Sequence, residues 1–421
     1  MSKLNIAKNG YIVDNSNNAV LAKAEHEFYI NAFSKFTLNE ICNIFNRHTL
    51  IPVFRLYLLD DDENIIKDIS QDMLSGDLTR TYQTGKRCTL TANLLNGHGK
   101  YTPANKNYEI YLGCKLRFDA GMLINNDIYW FQQGIFILKD MSFSSNDSEQ
   151  TVTFNLHDKF ALFDGTIRGT SALKTIVPVG VPMKQAFINI LGLDNGTGKP
   201  YDKKPIIFNT EYATQNTYKT IKTDFNSNYG AILIDSANTI SSDVYYNVYG
   251  NMVVKSNVNE FLQQNLPVVF RINDGDRILY NKSISYNWDK LRNRIIVKGA
   301  ITNGYQFTAT ADNTNLFSLY NVNNGRYGVR SEVVSDPKLY SDTLCMEKAM
   351  YTLVERQRGV KTLSLSLGYI PFLDVNQSIL VTLSDYDLNN ANYVIDSISM
   401  SISDTPSVSL QLSNIGDVVF K

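Results

Sequence analysis

The chain has 421 residues, 43% of them hydrophobic and 11% aromatic, which gives room for roughly two or three domains and excludes wholesale disorder. Forty Lys and Arg stand against 41 Asp and Glu, a formal net charge of -1, so no global basic field marks a dedicated nucleic-acid binder. The four cysteines (Cys42, Cys88, Cys114 and Cys345) form no CxxC pair and read as reduced core residues. No signal peptide is evident, and no apolar run approaches the roughly 18 residues of a membrane helix. The expectation is a chain made in a cytoplasm that does not span a membrane.

Residues 1–49 are expected to form an N-terminal arm. It holds an Asn-rich loop at 15–18 and helical stretches over 19–36 and 38–48, the second with Ile41, Ile44 and Phe45 on one face. A first β-module spans 50–165. Its strand from Val53 to Leu59 leads through Asp60-Asp61-Asp62-Glu63 to Ile65-Ile66. No second ligand cluster has a place beside that acidic run, so it reads as a solvated hairpin tip and not a metal site. From Ser75 the alternation is densest. Cys88, Leu90, Ala92 and Leu94 share a face, then Ile110, Leu112, Cys114, Leu116 and Phe118, and later Val152, Phe154 and Leu156. Period-two alternation between polar turns is the pattern of antiparallel strands buried on one face, and several in a row suggest a small barrel or sandwich.

An α+β insert is expected over 166–265. Pro182 opens a helix that runs to Leu191, and Tyr229, Ile232, Leu233, Ala237 and Ile240 mark a second. A hairpin follows through Val244, Tyr246 and Val248, a turn at Gly250-Asn251, and Met252 to Val254. A second β-module spans 266–421. Val268 to Ile272 precedes the turn Asn273-Asp274-Gly275-Asp276; Ile284, Tyr286 and Trp288 then alternate, followed by Ile295 to Val297. Residues 300–340, rich in Asn, Gly and Tyr, are expected to be a long loop. A helix over 341–358 has Ser341 as N-cap, Asp342 and Arg358 at the ends its dipole favours, and Gly359 as a left-handed C-cap. The last strands carry Leu363, Leu365 and Leu367, then Ile379, Val381 and Leu383. A phase change between Ile395 and Ile398 asks for a β-bulge near Asp396-Ser397, and Val408, Leu410 and Leu412 complete the set. The fold class expected is mainly β with an α+β insert: two β-barrel modules flanking a small α+β domain.

No catalytic, cofactor-binding or metal-binding residue is assigned, and no cofactor is expected. His26, His48, His98 and His157 sit in separate segments without HExxH spacing, and His98 in its Gly-rich loop reads as solvated. There is no GxSxG. Gly196-Thr197-Gly198-Lys199 is not a phosphate loop, because Gly192 is misplaced by one residue and Pro200 stands where Ser or Thr belongs. Asn273 to Asp276 lacks the Glu of a calcium loop and reads as a turn. Tyr245, Tyr246 and Tyr249 could stack on sugars or bases, but as strand residues they read as sheet-packing groups.

Three patches, taken in order and spacing, resemble the baseplate hub family of phage tails, related to the hub part of type VI secretion spikes. The first is Arg87 to Leu94 with Asn96-Gly97, Tyr101-Thr102-Pro103, Gly134 to Leu138 and Asp158. The second is Tyr229 to Ile240 with Tyr245 to Met252, ahead of Arg294 to Gly299. The third runs from Ser341 through Ala349 and Leu353 to Pro371, Ile379, Tyr393 to Ile395 and Leu410 to Leu412. The likeness covers about residues 50–415; residues 1–49 depart from it. It implies a non-enzymatic virion protein of the tail baseplate, assembled in the bacterial host. Its tail-tube-like barrels would form a homotrimer that continues the tube channel. The implied partners are a tail tube or distal tail protein, a central spike or tail-tip protein and other baseplate proteins, with DNA only in transit and no membrane insertion. With a short stretch after the last strand, no fused lysozyme or peptidase is expected. Two other readings compete. A receptor- or carbohydrate-binding tail protein would be expected to show repeats or a terminal lectin-like domain. A tail-tip cell-wall hydrolase lacks a nucleophile or metal constellation, although a glycosidase needs only two carboxylates.

Overall fold

The computed structural model describes residues 5–6, 12–13, 36–46, 51–102, 110–124, 127–145, 150–171, 176–217, 220–222, 227–256, 268–316, 318–323 and 326–414. The loop expected at 15–18 and nearly all of the helix over 19–36 lie outside them. Strands β1 (Asn5–Ile6) and β2 (Ile12–Val13) pair antiparallel. Helix α1 (Leu38–Phe45) starts at a capping box between Thr37 and Glu40 and buries Ile41, Ile44 and Phe45, the face its spacing predicts.

The first module supplies β3 (Ile51–Leu59), β4 (Ile65–Asp68), β5 (Met73–Thr81), β6 (Cys88–Leu95), β7 (Lys115–Ile124), β8 (Asp127–Ser145) and β9 (Gln150–Asp158). The strand expected from Ile110 begins only at Lys115. Gly113 turns the chain there at φ +88°, which leaves Leu112 59% exposed. The insert contains β10 (Ile176–Val177), α2 (Met183–Leu191), β11 (Ile207–Asn209), β12 (Ile221–Lys222), α3 (Tyr229–Thr239), β13 (Ser242–Tyr246) and β14 (Met252–Ser256). Its core gathers Phe187, Ile232, Leu233, Val244 and Met252 around Phe160 and Phe163, which arrive from the end of the first module.

The rest of the chain forms β15 (Val268–Asn273), β16 (Leu279–Tyr286), β17 (Arg294–Thr302), β18 (Tyr305–Asp312), β19 (Ser331–Ser335), α4 (Asp342–Arg358), β20 (Lys361–Gly368), β21 (Ser378–Leu383), β22 (Leu388–Ile402) and β23 (Ser407–Asn414). Three expectations are corrected. The loop over 300–340 holds β18 and β19, which flank β17 in a separate sheet packed on α4. Trp288 falls in a 3-10 turn beyond β16. Gly359 caps α4 at φ -70°, with no left-handed residue. Ser341 does accept the Leu344 N–H at 3.1 Å as N-cap.

Apart from β17, the strands expected in the two β-modules run through one 13-stranded sheet, ordered β16-β20-β23-β22-β5-β6-β9-β8-β7-β3-β4, with β21 on β22 and β15 parallel to β21. The join is β5 against β22, where Thr81 to Gly76 pair with Ser397 to Ile402. The register shift between Ile395 and Ser397 is the bulge the phase change asks for. One hydrophobic core serves both spans. In it Phe45 meets Phe270 and Phe372 edge-on, and the Tyr369 hydroxyl donates to the Gly121 carbonyl at 3.1 Å. Each such fully buried Phe contributes about 1.5–3 kcal/mol of burial.

Candidate functional site: a charged junction between sheet and insert

The acidic turn between β3 and β4 is not a solvated tip. The Asp60 carboxylate fixes it by accepting the Asn64 N–H at 2.9 Å, and Glu63 sits at φ +66°, which turns its side chain inward to 4% exposure. The turn docks on the insert. Asp61 meets Lys199 at 2.5 Å and Asp62 meets Lys203 at 2.5 Å, both pairs exposed. Lys199 closes the Gly196 to Lys199 stretch, which folds as a tight turn with the Gly196 and Gly198 N–H groups donating to Asp194 at 2.9 Å.

Glu63 itself enters a buried cluster. The short 3-10 turn after β9 delivers Lys159, fully buried, with its Nζ 2.6 Å from Glu63 and 2.8 Å from Asp202. The same ammonium donates to the Gly250 carbonyl at 2.9 Å. Lys204 reaches Glu63 at 2.5 Å and the Tyr249 carbonyl at 2.6 Å, and Lys115 approaches Glu63 at 3.1 Å. The Tyr246 hydroxyl donates to Asp202 at 2.7 Å. Burial alone would raise the Glu63 carboxyl, but Lys159, Lys204 and Lys115 overcome it and hold it at about 2. Burial likewise opposes the charge on Lys159, and Asp202 with Glu63 overcomes it and raises the ammonium above its ordinary value. Gly250 is required here: it has φ +76°, and a Cβ would lie 2.8 Å from Ile135 Cδ1 and 3.3 Å from Glu63 Oε2.

A second network joins insert, sheet and α4. Asp243 accepts from the Tyr82 hydroxyl at 3.0 Å and faces Arg87 at 3.6 Å, while the Arg87 guanidinium lies 3.3 Å above the Tyr245 ring. Arg358, at the end of α4, pairs with Asp396 in the bulge at 2.6 Å. A cleft of about 620 Å³ lies here, lined by Tyr82, Asp243, Tyr351, Arg358 and Asp396 among others. Burial pushes the Asp158 carboxyl up to about 6, although it accepts three backbone N–H groups, those of Arg87, Cys88 and Phe160.

The residues singled out in the sequence are dispersed. Tyr245, Tyr246 and Tyr249 are all buried; Tyr245 and Tyr246 lie in β13 as expected, but Tyr249 falls in the turn between β13 and β14. His98 is exposed at φ +57°, and His157 is half-buried, its imidazole pushed down first by burial. His26 and His48 lie outside the described residues. The Asn273 N–H donates to Asp276 at 2.7 Å within the turn, and Asp274 reaches out of it to Lys282 at 2.6 Å and to Ser384. Among the described residues no group of three or more His, Cys, Asp or Glu could hold a metal ion. Among them, too, no helix is long and apolar enough to cross a membrane. The charged cluster was missed because acids in a turn read as solvated; its partners sit about 140 residues away. What such an arrangement does is fix one unit on another. A buried ion network is costly to break and gives the contact one geometry.

Residues 317–414 match a family model described as a domain of unknown function, DUF5048. No curated protein matches the sequence. Among solved structures, the 43 kDa tail protein of prophage MuSo2 from Shewanella oneidensis superposes with a TM-score of 0.58 at 12% identity, covering 87% of this chain and 100% of that one. A tail protein from Neisseria meningitidis MC58 gives 0.60 at 10% identity, covering 87% and 98%. A chain of the Francisella PdpA–VgrG complex gives 0.51 at 9% identity, covering 96% of this chain and 65% of that one. The chain thus has the fold of these tail proteins and of the PdpA–VgrG chain.

Proposed function

We propose that this chain is a structural, non-enzymatic component of a phage tail, a hub at the tail tip between tube and central spike. The observation that carries the reading is the full-length overlap: the fold spans 100% and 98% of two tail proteins. In this reading three copies close a ring whose wall continues the tail channel, with strands of both β-modules facing the passage. Closed rings leave no strand edge open, and among the described residues the 13-stranded sheet has edges at β16, β15 and β4 that such closure would protect. The ion-paired insert then rides outside the ring, held in one orientation by Glu63 and Lys159. The other proposed partners are the tube or distal tail protein, the spike and neighbouring baseplate proteins, in a virion assembled inside the host cell. Immunogold labelling of particles, with symmetry analysis of the tail tip, tests this. Label at the tip with three copies around the axis is expected. Six copies, or no label on the tail, would overturn it.

A further inference from the structure

The sheet has a second face that the core does not use. Pairing registers line its outward residues into rows across the strands. One row runs Asn281, Ser366, Ser409, Ser399, Thr79 and Thr89, crossing β16, β20, β23, β22, β5 and β6. The next runs Ser283, Ser364, Gln411, Ser397 and Thr81. β9 extends the face with Asn155 and Thr153 opposite Thr91 and Asn93. A groove of about 480 Å³ lies along these rows.

The chemistry of this face is unusual for the chain that carries it. Charged residues make up 19% of the sequence, with 40 Lys and Arg, yet no Lys or Arg holds an outward register position on these seven strands, and Lys282 of the edge strand β16, which lines the groove, is paired with Asp274 and Asp385. Arg80, the one arginine in β5, turns inward to Gln133 and Asp374. The carboxylates on this face are Asp77 and, at the bulge, Asp396, which accepts from Ser413 and is paired with Arg358; His157 stands opposite Thr89 at its β9 end. An ordinary solvent-facing sheet carries interspersed Lys and Glu, which keep edges apart and the surface soluble. A face meant to hold a polyanion carries Lys and Arg, each of which adds a salt-dependent phosphate contact. A strongly acidic face would repel a polyanion. Hydroxyls and amides do neither: they bind water and exchange hydrogen bonds without a fixed charge.

We infer that this face, dominated by hydroxyls and amides and without an unpaired cation, is the wall past which double-stranded DNA moves without being bound. The inference rests on the tail-hub reading and assigns which surface meets the cargo. Its boundary agrees, because both β-modules contribute to it across the β5–β22 join, as a channel built from both modules requires. The end of the face is also marked, since β8 brings Lys139 and Asp140 together at its register shift.

The test places lysines at three adjacent positions, Ser364→Lys, Ser399→Lys and Ser409→Lys, with Ser→Gln at the same positions as control. The purified full-length proteins are first compared by circular dichroism and thermal melting, and then titrated with a DNA duplex of about 30 base pairs. The lysine variant should bind with a log–log salt slope of about -3, and the wild type should show no saturable binding at the same salt. Phage particles carrying each version are then triggered to eject in vitro, and DNA release is followed with an intercalating dye. Normal particle numbers with at least tenfold slower release from the lysine variant, eased by added salt and absent in the Gln control, is the expected result. Wild-type release from the lysine variant overturns the assignment. So does a folded lysine variant that fails to enter particles, which would make the face a protein interface and leave the tail role intact. Absence of the wild-type chain from purified tails would instead overturn the tail-hub reading itself.

Discussion

Glu63→Gln keeps the shape of the side chain at the junction and removes its charge. Lys159 is left with Asp202 and the Gly250 carbonyl, and Lys204 with the Tyr249 carbonyl. Two routes give the magnitude. The carboxyl is depressed from 4.5 to about 2, which corresponds to roughly 3 kcal/mol of stabilisation of the charged form. Removing one partner of a buried ion pair costs about 3–5 kcal/mol. The folded value lies below the unfolded one, so the contribution is complete above pH 4.5 and is lost as the pH falls towards 2. At pH 3 about half of it remains. Denaturant-dependent hydrogen exchange of α3 and β13 in the full chain reads the stability of the docked insert directly. The variant should fall short of wild type by about 3 kcal/mol at pH 7 and by about half that at pH 3. A deficit below about 1 kcal/mol at pH 7, the range of surface pairs, would refute the argument, as would an equal deficit at both pH values.

Gly250→Ala forces a side chain into a left-handed turn and against Ile135 Cδ1 at 2.8 Å. It should cost about 2–4 kcal/mol in the same exchange measurement, and an unchanged value would show that the turn can relax. All four cysteines are free thiols, with Cys88, Cys114 and Cys345 buried. Burial pushes the Cys88 thiol up to about 12 and Cys114 to about 11 and raises Cys42 and Cys345 too, so in the native protein Cys42, the one thiol not fully buried, should react first with a thiol reagent. Four thiols should titrate after denaturation without reductant; two or fewer would contradict the structure.

Strands with bulky residues at alternate positions were legible, because one buried face leaves a period-two trace. Leu363, Leu365 and Leu367 are all buried, and the phase change at Ile395 to Ile398 located the bulge. β18 was lost because its inward residues, Phe307, Ala309 and Ala311, are mostly small and its neighbours are Thr and Gln. Ile110 to Cys114 imitated a strand across a turn, since a glycine's positive φ leaves no mark on hydrophobic spacing. The docking of Asp61, Asp62 and Glu63 on Lys199, Lys203 and Lys204 had a faint signal, an acidic run in one stretch and three lysines within six residues in the other. Nothing local to either stretch could connect them. The polar face was written openly in Thr362-Leu363-Ser364-Leu365-Ser366 and Ser397-Ile398-Ser399-Met400-Ser401, where attention falls on the apolar half of the alternation.

The pairing of β5 with β22 also sets a timetable for biosynthesis. Residues 76–81 wait for residues 397–402, so a nascent strand made early keeps one edge vacant until nearly the whole polypeptide has emerged. At typical elongation rates of about 5–20 residues per second, that wait lasts roughly 15–60 s. Throughout it β5 has β6 on one side and a row of unsatisfied backbone groups on the other, a template for the wrong strand. Folding is therefore governed by a contact of very long sequence separation, the kind that slows closure and exposes intermediates to aggregation. The β5–β22 join closes only once translation has passed residue 402, and β23, which lies between β20 and β22, is the last strand to enter the sheet.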